Sequence, residues 1–415
     1  MRAPLLLVAL CASLPGCATP TAEAVPDAGL EHDAGELPGD GPDGGLADAD
    51  GGTAPCELST GGWGPAGTVA VRAEQVTANL EVPWSLAFPG NGEILIAERP
   101  GRIRLFRNGQ LVATPVATVP NVASGGEGGL LGLVLHPDFA TNRQFYVYFT
   151  SSVTGGGRIN RVQRWVLAPD HNSASFEKLI LDDIPGAVVH DGGRLRIGPD
   201  RMLYVGTGDA QQPTRSQDPT SVAGKLLRLT LEGEVPADNP TPGSPVFVSG
   251  IRNTQGFDFV DAKALYVSDH GPSGEGGRRA HDEVNFARPG DNLGWPTIYA
   301  CETAPGLVTP SLTFSNAAPP GGLAIYRGTA VPEWRDSVLV ATLGARHLQR
   351  VAFDPADRRR VVLHEVYFQG EPPGGFGRLR EAVMGPDGHL YVTTSNCDGR
   401  GNCPSDKDRI LRILK

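Results

Sequence analysis

The sequence has no apolar run long enough to cross a bilayer as a helix, which takes about 20 residues. It has no CxxC pair, so its six cysteines do not read as a zinc site. It has no cluster of basic residues, which leaves no electrostatic footprint for nucleic acid. It has no dinucleotide fingerprint, because in Gly126-Glu127-Gly128 the third glycine of GxGxxG falls on Leu131. From residue 63 onward it has no sustained helical periodicity. A doubly wound sheet, which needs helices of about 10–15 residues between strands, is therefore disfavoured.

What is present at the N-terminus reads as targeting. Residues 1–17 carry Arg2, a short apolar run and Leu14-Pro15-Gly16-Cys17. That fits a secretory signal peptide, and its end resembles a bacterial lipobox. The resemblance implies lipidation of Cys17 and a lipid anchor to a membrane; ordinary signal cleavage is the alternative. Residues 18–62 read as a linker. Between 18 and 55 it holds nine acids and no Lys or Arg, and such a segment cannot bury enough apolar surface to order itself. The linker also accounts for most of the net charge of −10, so the remainder is close to neutral. Cys56, Cys301, Cys397 and Cys403 lie beyond it. An even number in an exported chain favours disulfides. Cys397–Cys403 would close a small loop and Cys56–Cys301 would pin the linker to the body, with free thiols as the alternative.

Residues 63–415 contain a repeat. LAFPGNGEILIAER starts at Leu86, LVLHPDFATNRQFYVYFT at Leu133, LRIGPDRMLYVGTGD at Leu195, FDFVDAKALYVSDHG at Phe257 and AVMGPDGHLYVTTSN at Ala382. A weaker copy, VPEWRDSVLVATLGA, starts at Val331. Each is an apolar strand, a polar turn and a second apolar strand, the signature of a hairpin. Six hairpins at this spacing predict an all-β fold, a six-bladed β-propeller of four-stranded antiparallel blades. Equivalent blades would put the turns that end the second strands on one face, where function usually lives.

Four segments on that face carry candidate chemistry. His190 precedes its hairpin and Asp209 follows it. They are either turn residues or a general base and the carboxylate that fixes its tautomer. Arg252 and Asn253 lie in GIRNTQG and offer a planar fork with a donor–acceptor pair; a surface ion pair is the plainer reading. The stretch from Asp269 to Pro296 mixes Asp, Glu, Asn, Gly and Pro and could give oxygens to a hard cation. It lacks EF-hand spacing, so a solvated acidic loop stands beside that reading. Arg378 and Arg380 alternate on a strand and so share a side. Side by side they are unfavourable unless an anion lies between them.

Together these segments resemble the soluble pyrroloquinoline-quinone (PQQ) sugar dehydrogenases, the glucose/sorbosone dehydrogenase family, in its bacterial aldose sugar dehydrogenase branch. The matching motifs include VPWSLAFPGNGEILIAERPGRI, GGEGGLLGLVLHPDF, HDGGRLRIGPDRMLYVGTGD, GIRNTQG, DHGP, DEVN, PGDNLGWP and GRLREAVMGPDGHLYVTTSNCDGRG, in the family's order. The resemblance implies oxidation of the anomeric carbon of an aldose sugar by hydride transfer to PQQ. The electrons would pass to an unidentified acceptor, a quinone or a cytochrome, outside the cytoplasm. It implies that His190 is the base, Asp209 its orienting group and Arg252 the stabiliser of charge on the quinone oxygen. Asn253 would hold the cofactor rim, and Arg378 and Arg380 its carboxylates. Main-chain carbonyls of Gly271 and Pro272 would bind a catalytic Ca²⁺ (Ca2+), and Glu283 with the Leu293 carbonyl a structural one.

Four departures stand out. Glu127 occupies the place of a cofactor-contacting Gln, and its charge would repel the cofactor unless protonated or paired. Leu293 replaces a common Tyr. Arg346 stands near the position of a Lys in the glucose-oxidising branch, while the loop from Pro272 to Asp282 is longer than in close relatives. A calcium-dependent propeller hydrolase and a degenerate surface-binding propeller are the rival readings.

Overall fold

Short strands buried along nearly their whole length drive the architecture: Glu93–Glu98, Leu203–Gly206 and Ala264–Asp269 are buried at every position. The computed structural model describes residues 56–415; the signal segment, Cys17 and the acidic stretch to residue 55 lie outside the described residues. The chain forms six antiparallel sheets, the blades of a β-propeller. Five expected hairpins are the inner pairs of five blades. They join Pro83–Gly90 to Glu93–Glu98, Leu130–Leu135 to Gln144–Ser152, and Leu195–Ile197 to Leu203–Gly206. The other two join Gly256–Asp261 to Ala264–Asp269 and Leu379–Met384 to Leu390–Thr394.

The weak sixth copy is out of place by one element. In blade five the first strand is Pro320–Ile325, paired with Val338–Thr342. Val331 is not its start: Pro332–Trp334 is a 3₁₀ turn whose Trp334 is buried between the blades. The strand GGLAI was hidden because two glycines interrupt its apolar pattern. Both are needed at the axis, where inner strands of neighbouring blades meet. A Cβ on Gly321 would lie 2.2 Å from the Arg380 carbonyl oxygen, and one on Gly322 2.6 Å from the Ala382 nitrogen.

The order also extends into the expected linker. Glu57–Ser59 is a strand, added in parallel to Leu312–Phe314 as a fifth strand of blade four. Cys56 beside it is bonded to Cys301, and Cys397 to Cys403. Blade six takes three strands from the C-terminus, and its outer strand is Arg72–Leu80, paired with Asp408–Leu414.

Six apolar clusters fill the junctions between consecutive blades, one at each. The axis is polar. Arg194 and Glu381, from blades three and six, form a fully buried ion pair there, and Arg194 also packs over Trp84. With four antiparallel strands per blade, the loops that enter each inner strand and the loops between second and third strands share one face. That geometry collects distant sequence segments.

Candidate active site

The loop entering blade three brings His190 to this face, and the loop from its second to its third strand brings Asp209. His190 Nδ1 lies 2.8 Å from Asp209 Oδ1. The ring nitrogen donates, so the proton sits on Nδ1 and Nε2 is left as a base. The approach is enforced by backbone: His190 has φ +65°, Asp209 N–H donates to the Arg252 carbonyl, and a Cβ on Gly208 would sit 2.0 Å from the His190 carbonyl oxygen. Asp209 is wholly buried. Lys225, buried in the same loop, donates to the carbonyls of Arg215, Ser216 and Ala223 and so fixes the course of the loop.

Blade four supplies the next wall. Asp269 accepts the main-chain N–H groups of Arg252 and Asn253, each at 2.7 Å. Asn253 then spans the site, accepting from Gly192 N–H and donating to Glu127 Oε2 at 3.0 Å. Arg252 is 2% exposed, its Nε has no partner, and its Nη2 donates to Glu275 on the long loop at 2.6 Å.

Glu127 is paired, which lessens the repulsion its charge would otherwise bring. Its Oε2 accepts the His190 main-chain N–H at 2.9 Å, and Arg400 stands 3.3 Å from Oε1. Burial pushes its carboxyl up, but the neighbouring His270, His190 and Arg400 side chains and the His190 main-chain N–H outweigh this and hold it well below the usual range. Burial also keeps the His270 imidazole down, so Arg400 and the two N–H donors are the firmer supports.

The arginine pair has an internal anion that the sequence did not reveal. Asp398 Oδ2 lies 3.0 Å from Arg378 Nη2 and 3.3 Å from Arg380 Nη2. Arg380 also donates to Ser395 Oγ and Gln255 Oε1, and burial lowers its pKa to about 10. Arg99, in the turn after blade one's second strand, donates to the carbonyls of Gly126 and Asp398. Arg99, Arg378, Arg380 and Arg400 outnumber the carboxylates Asp398 and Glu127. The surplus positive charge in a buried cradle fits a ligand that carries carboxylates.

His190, Asp209, Arg252, Asn253, Glu127, Arg378 and Arg380 thus lie on one hydrogen-bonded face. Arg346 does not join this network. It pairs with Glu371 of the loop entering blade six, at 3.3 Å. Sequence reasoning missed Asp398, Arg99, Arg400, Gln255 and Trp295. Each sat inside a motif already recognised, but no spacing rule gave it a role.

The expected calcium ligands are mixed in kind. Among the described residues, no group of three or more His, Cys, Asp or Glu side chains is arranged to hold a metal. Gly271 and Pro272 offer carbonyls on a tight loop, where a Cβ on Gly271 would meet the Ala280 carbonyl at 1.9 Å. Glu283 faces Asp269 across adjacent strands. Burial, and then the neighbouring Asp269 charge, raise its carboxyl well above the usual range. Asn285 Oδ1 beside it is buried without a partner. Two crowded carboxyls and an orphaned amide oxygen are the donor chemistry of a hard cation, so the Glu283 region fits one.

Known proteins share this fold and much of this sequence. A PQQ-bound aldose sugar dehydrogenase from Streptomyces coelicolor superposes with TM-score 0.73 at 34% identity, covering 83% of this chain and 98% of that one. Aldose sugar dehydrogenase YliI of Escherichia coli K12 is 30% identical, over 82% of this chain and 94% of its own. Quinoprotein glucose dehydrogenase B of Acinetobacter calcoaceticus is 28% identical, over 82% and 88%. The profile described as glucose/sorbosone dehydrogenase matches residues 80–412. On that match, and on a six-bladed ring with its polar groups gathered at one mouth, the chain belongs to the glucose/sorbosone dehydrogenase family.

Proposed function

We propose that this protein is an exported quinoprotein that oxidises the anomeric carbon of an aldose to the lactone. The observation that carries the reading is the placing of a carboxylate-oriented imidazole beside a cradle of surplus guanidinium charge. When bound, PQQ would supply the hydride acceptor and Ca²⁺ the Lewis acid that polarises it.

The chain's own residues do the rest. His190 Nε2 takes the proton of the substrate's anomeric hydroxyl while Nδ1–H stays on Asp209, whose charge stabilises the imidazolium. Arg252 offers a buried cation to a developing oxyanion. Arg99, Arg378 and Arg380 bind the cofactor's carboxylates, and Asn253 orients its rim. The carbonyls of Gly271 and Pro272 would hold the catalytic cation; Glu283, with the Leu293 carbonyl, a structural one. The protein then passes electrons to a quinone or cytochrome. Two disulfides support an oxidising compartment, and among the described residues no helix is long and apolar enough to cross a membrane. Lipid attachment at Cys17 is part of the same proposal.

The test is reconstitution of the purified protein with PQQ and Ca²⁺, followed by dye reduction with a panel of aldoses. The expected result is sugar-dependent reduction by wild type. His190→Gln should retain PQQ and lose about 10²–10⁴-fold in kcat. Cofactor uptake with no sugar oxidised would point to a binding protein; no uptake would favour a hydrolase.

A further inference from the structure

Blade four carries a long excursion. Between its third and fourth strands the chain does not turn back directly but climbs the outer edge of blade three. Gly290 N–H donates to Phe247 O, Leu293 N–H to Ser249 O and Trp295 N–H to Gly250 O. The climb ends by delivering an indole beside Asp209. Trp295 Nε1–H donates to Asp209 Oδ2 at 2.9 Å, and both groups are buried.

The Asp209 carboxylate is therefore held from both ends. Oδ1 receives His190 Nδ1–H and Gln211 N–H, each at 2.8 Å, and Oδ2 receives the indole. An indole N–H only donates, so it demands an acceptor at that place and blocks rotation of the carboxylate. Trp295 is itself anchored. Its carbonyl accepts Gln217 Nε2 at 2.6 Å, and the next carbonyl, of Pro296, accepts Arg278 at 2.9 Å. Cys301, a few residues on, is tied to Cys56. The Arg252 guanidinium lies 5.5 Å from the indole centroid, so one ring touches two of the groups given roles above.

We infer that Trp295 is a positioning residue for the proton transfer. It pins the second oxygen of Asp209 so that the first faces His190 Nδ1 and the ring turns Nε2 toward the substrate. The inference rests on reading His190 as the base.

Trp295→Phe keeps a ring and removes the donor. The expected result is a kcat lower by about tenfold, in line with loss of one charge-assisted hydrogen bond, with KM for the sugar and the PQQ titration unchanged. A merely structural loss would move those as well. In the protein without cofactor, the downfield proton resonance of the His190–Asp209 bond should shift in Trp295→Phe. Unchanged kcat together with an unshifted resonance overturns the inference. If wild type oxidises no aldose, the dehydrogenase reading fails, and the resonance still judges Trp295. Should Trp295→Phe not fold, Asp209→Asn serves: one of the five tryptophan indole N–H resonances should move, and none moving overturns the inference.

Discussion

Arg378 reaches Asp398 twice through one oxygen, with Nε and Nη2 both 3.0 Å from Oδ2. The same oxygen serves Arg380, so a single buried carboxylate keeps two guanidinium groups side by side.

Asp398→Asn should destabilise the protein by about 3–5 kcal/mol at neutral pH, because it strands buried charges. Burial raises this carboxyl, but Arg378 and Arg380 more than offset it, and the net direction is down. A depressed folded-state pKa stabilises above the ordinary aspartate range and loses that contribution as pH falls through the lower folded value. The variant should therefore differ from wild type most at pH 7 and least in strong acid. Urea denaturation across pH checks this.

Asp191, next to the candidate base, behaves in the opposite sense. Burial pushes its carboxyl up to about 6, and Oδ2 has no partner. A raised folded pKa means full stability below the unfolded value, lost as pH climbs through about 6. Asp191→Asn keeps an acceptor for Asn160 Nδ2 and Ala187 N–H. It should gain up to about 3 kcal/mol over wild type at pH 8 and nothing near pH 3. Thermal melts at the two pH values decide it.

Glu127→Gln retains an oxygen for His190 N–H and an acceptor for Asn253, while releasing Arg400 from its ion pair. Removing one negative charge from the cradle should tighten binding of anionic PQQ by about tenfold, as expected for a short charge separation in partly buried surroundings. Titration of the protein without cofactor, followed by absorbance, measures it; equal or weaker binding counts against the arginine cradle.

The bond from Cys56 to Cys301 spans 245 residues. Replacing both by serine should cost about 2–4 kcal/mol, read as a lower urea midpoint. The short Cys397–Cys403 loop should matter less to global stability.

The architecture was legible because each blade's inner pair repeats one pattern of apolar strands around a polar turn. Blade five escaped for a physical reason: the close approach at the axis requires Gly321 and Gly322, and glycine breaks up the apolar run. His190 and Asp209 were legible as a pair because one hairpin separates them. Asp398 and Trp295 were not. Asp398 lies in the same motif as the arginines, but a main-chain turn aims it, and turns of that kind leave no spacing in the sequence. Trp295 reaches the site only through an excursion along a neighbouring blade, which local pattern cannot anticipate.

The ring is closed by two strands far apart in the chain, Arg72–Leu80 and Asp408–Leu414. Arg72 lies opposite Leu414, and Leu80 opposite Asp408. A chain emerging in order can assemble five blades, but Arg72–Leu80 must wait, unpaired, until Asp408–Leu414 is made. Two bare sheet edges persist until then, so a deletion of only the last strand should leave the molecule as sticky as a much larger truncation.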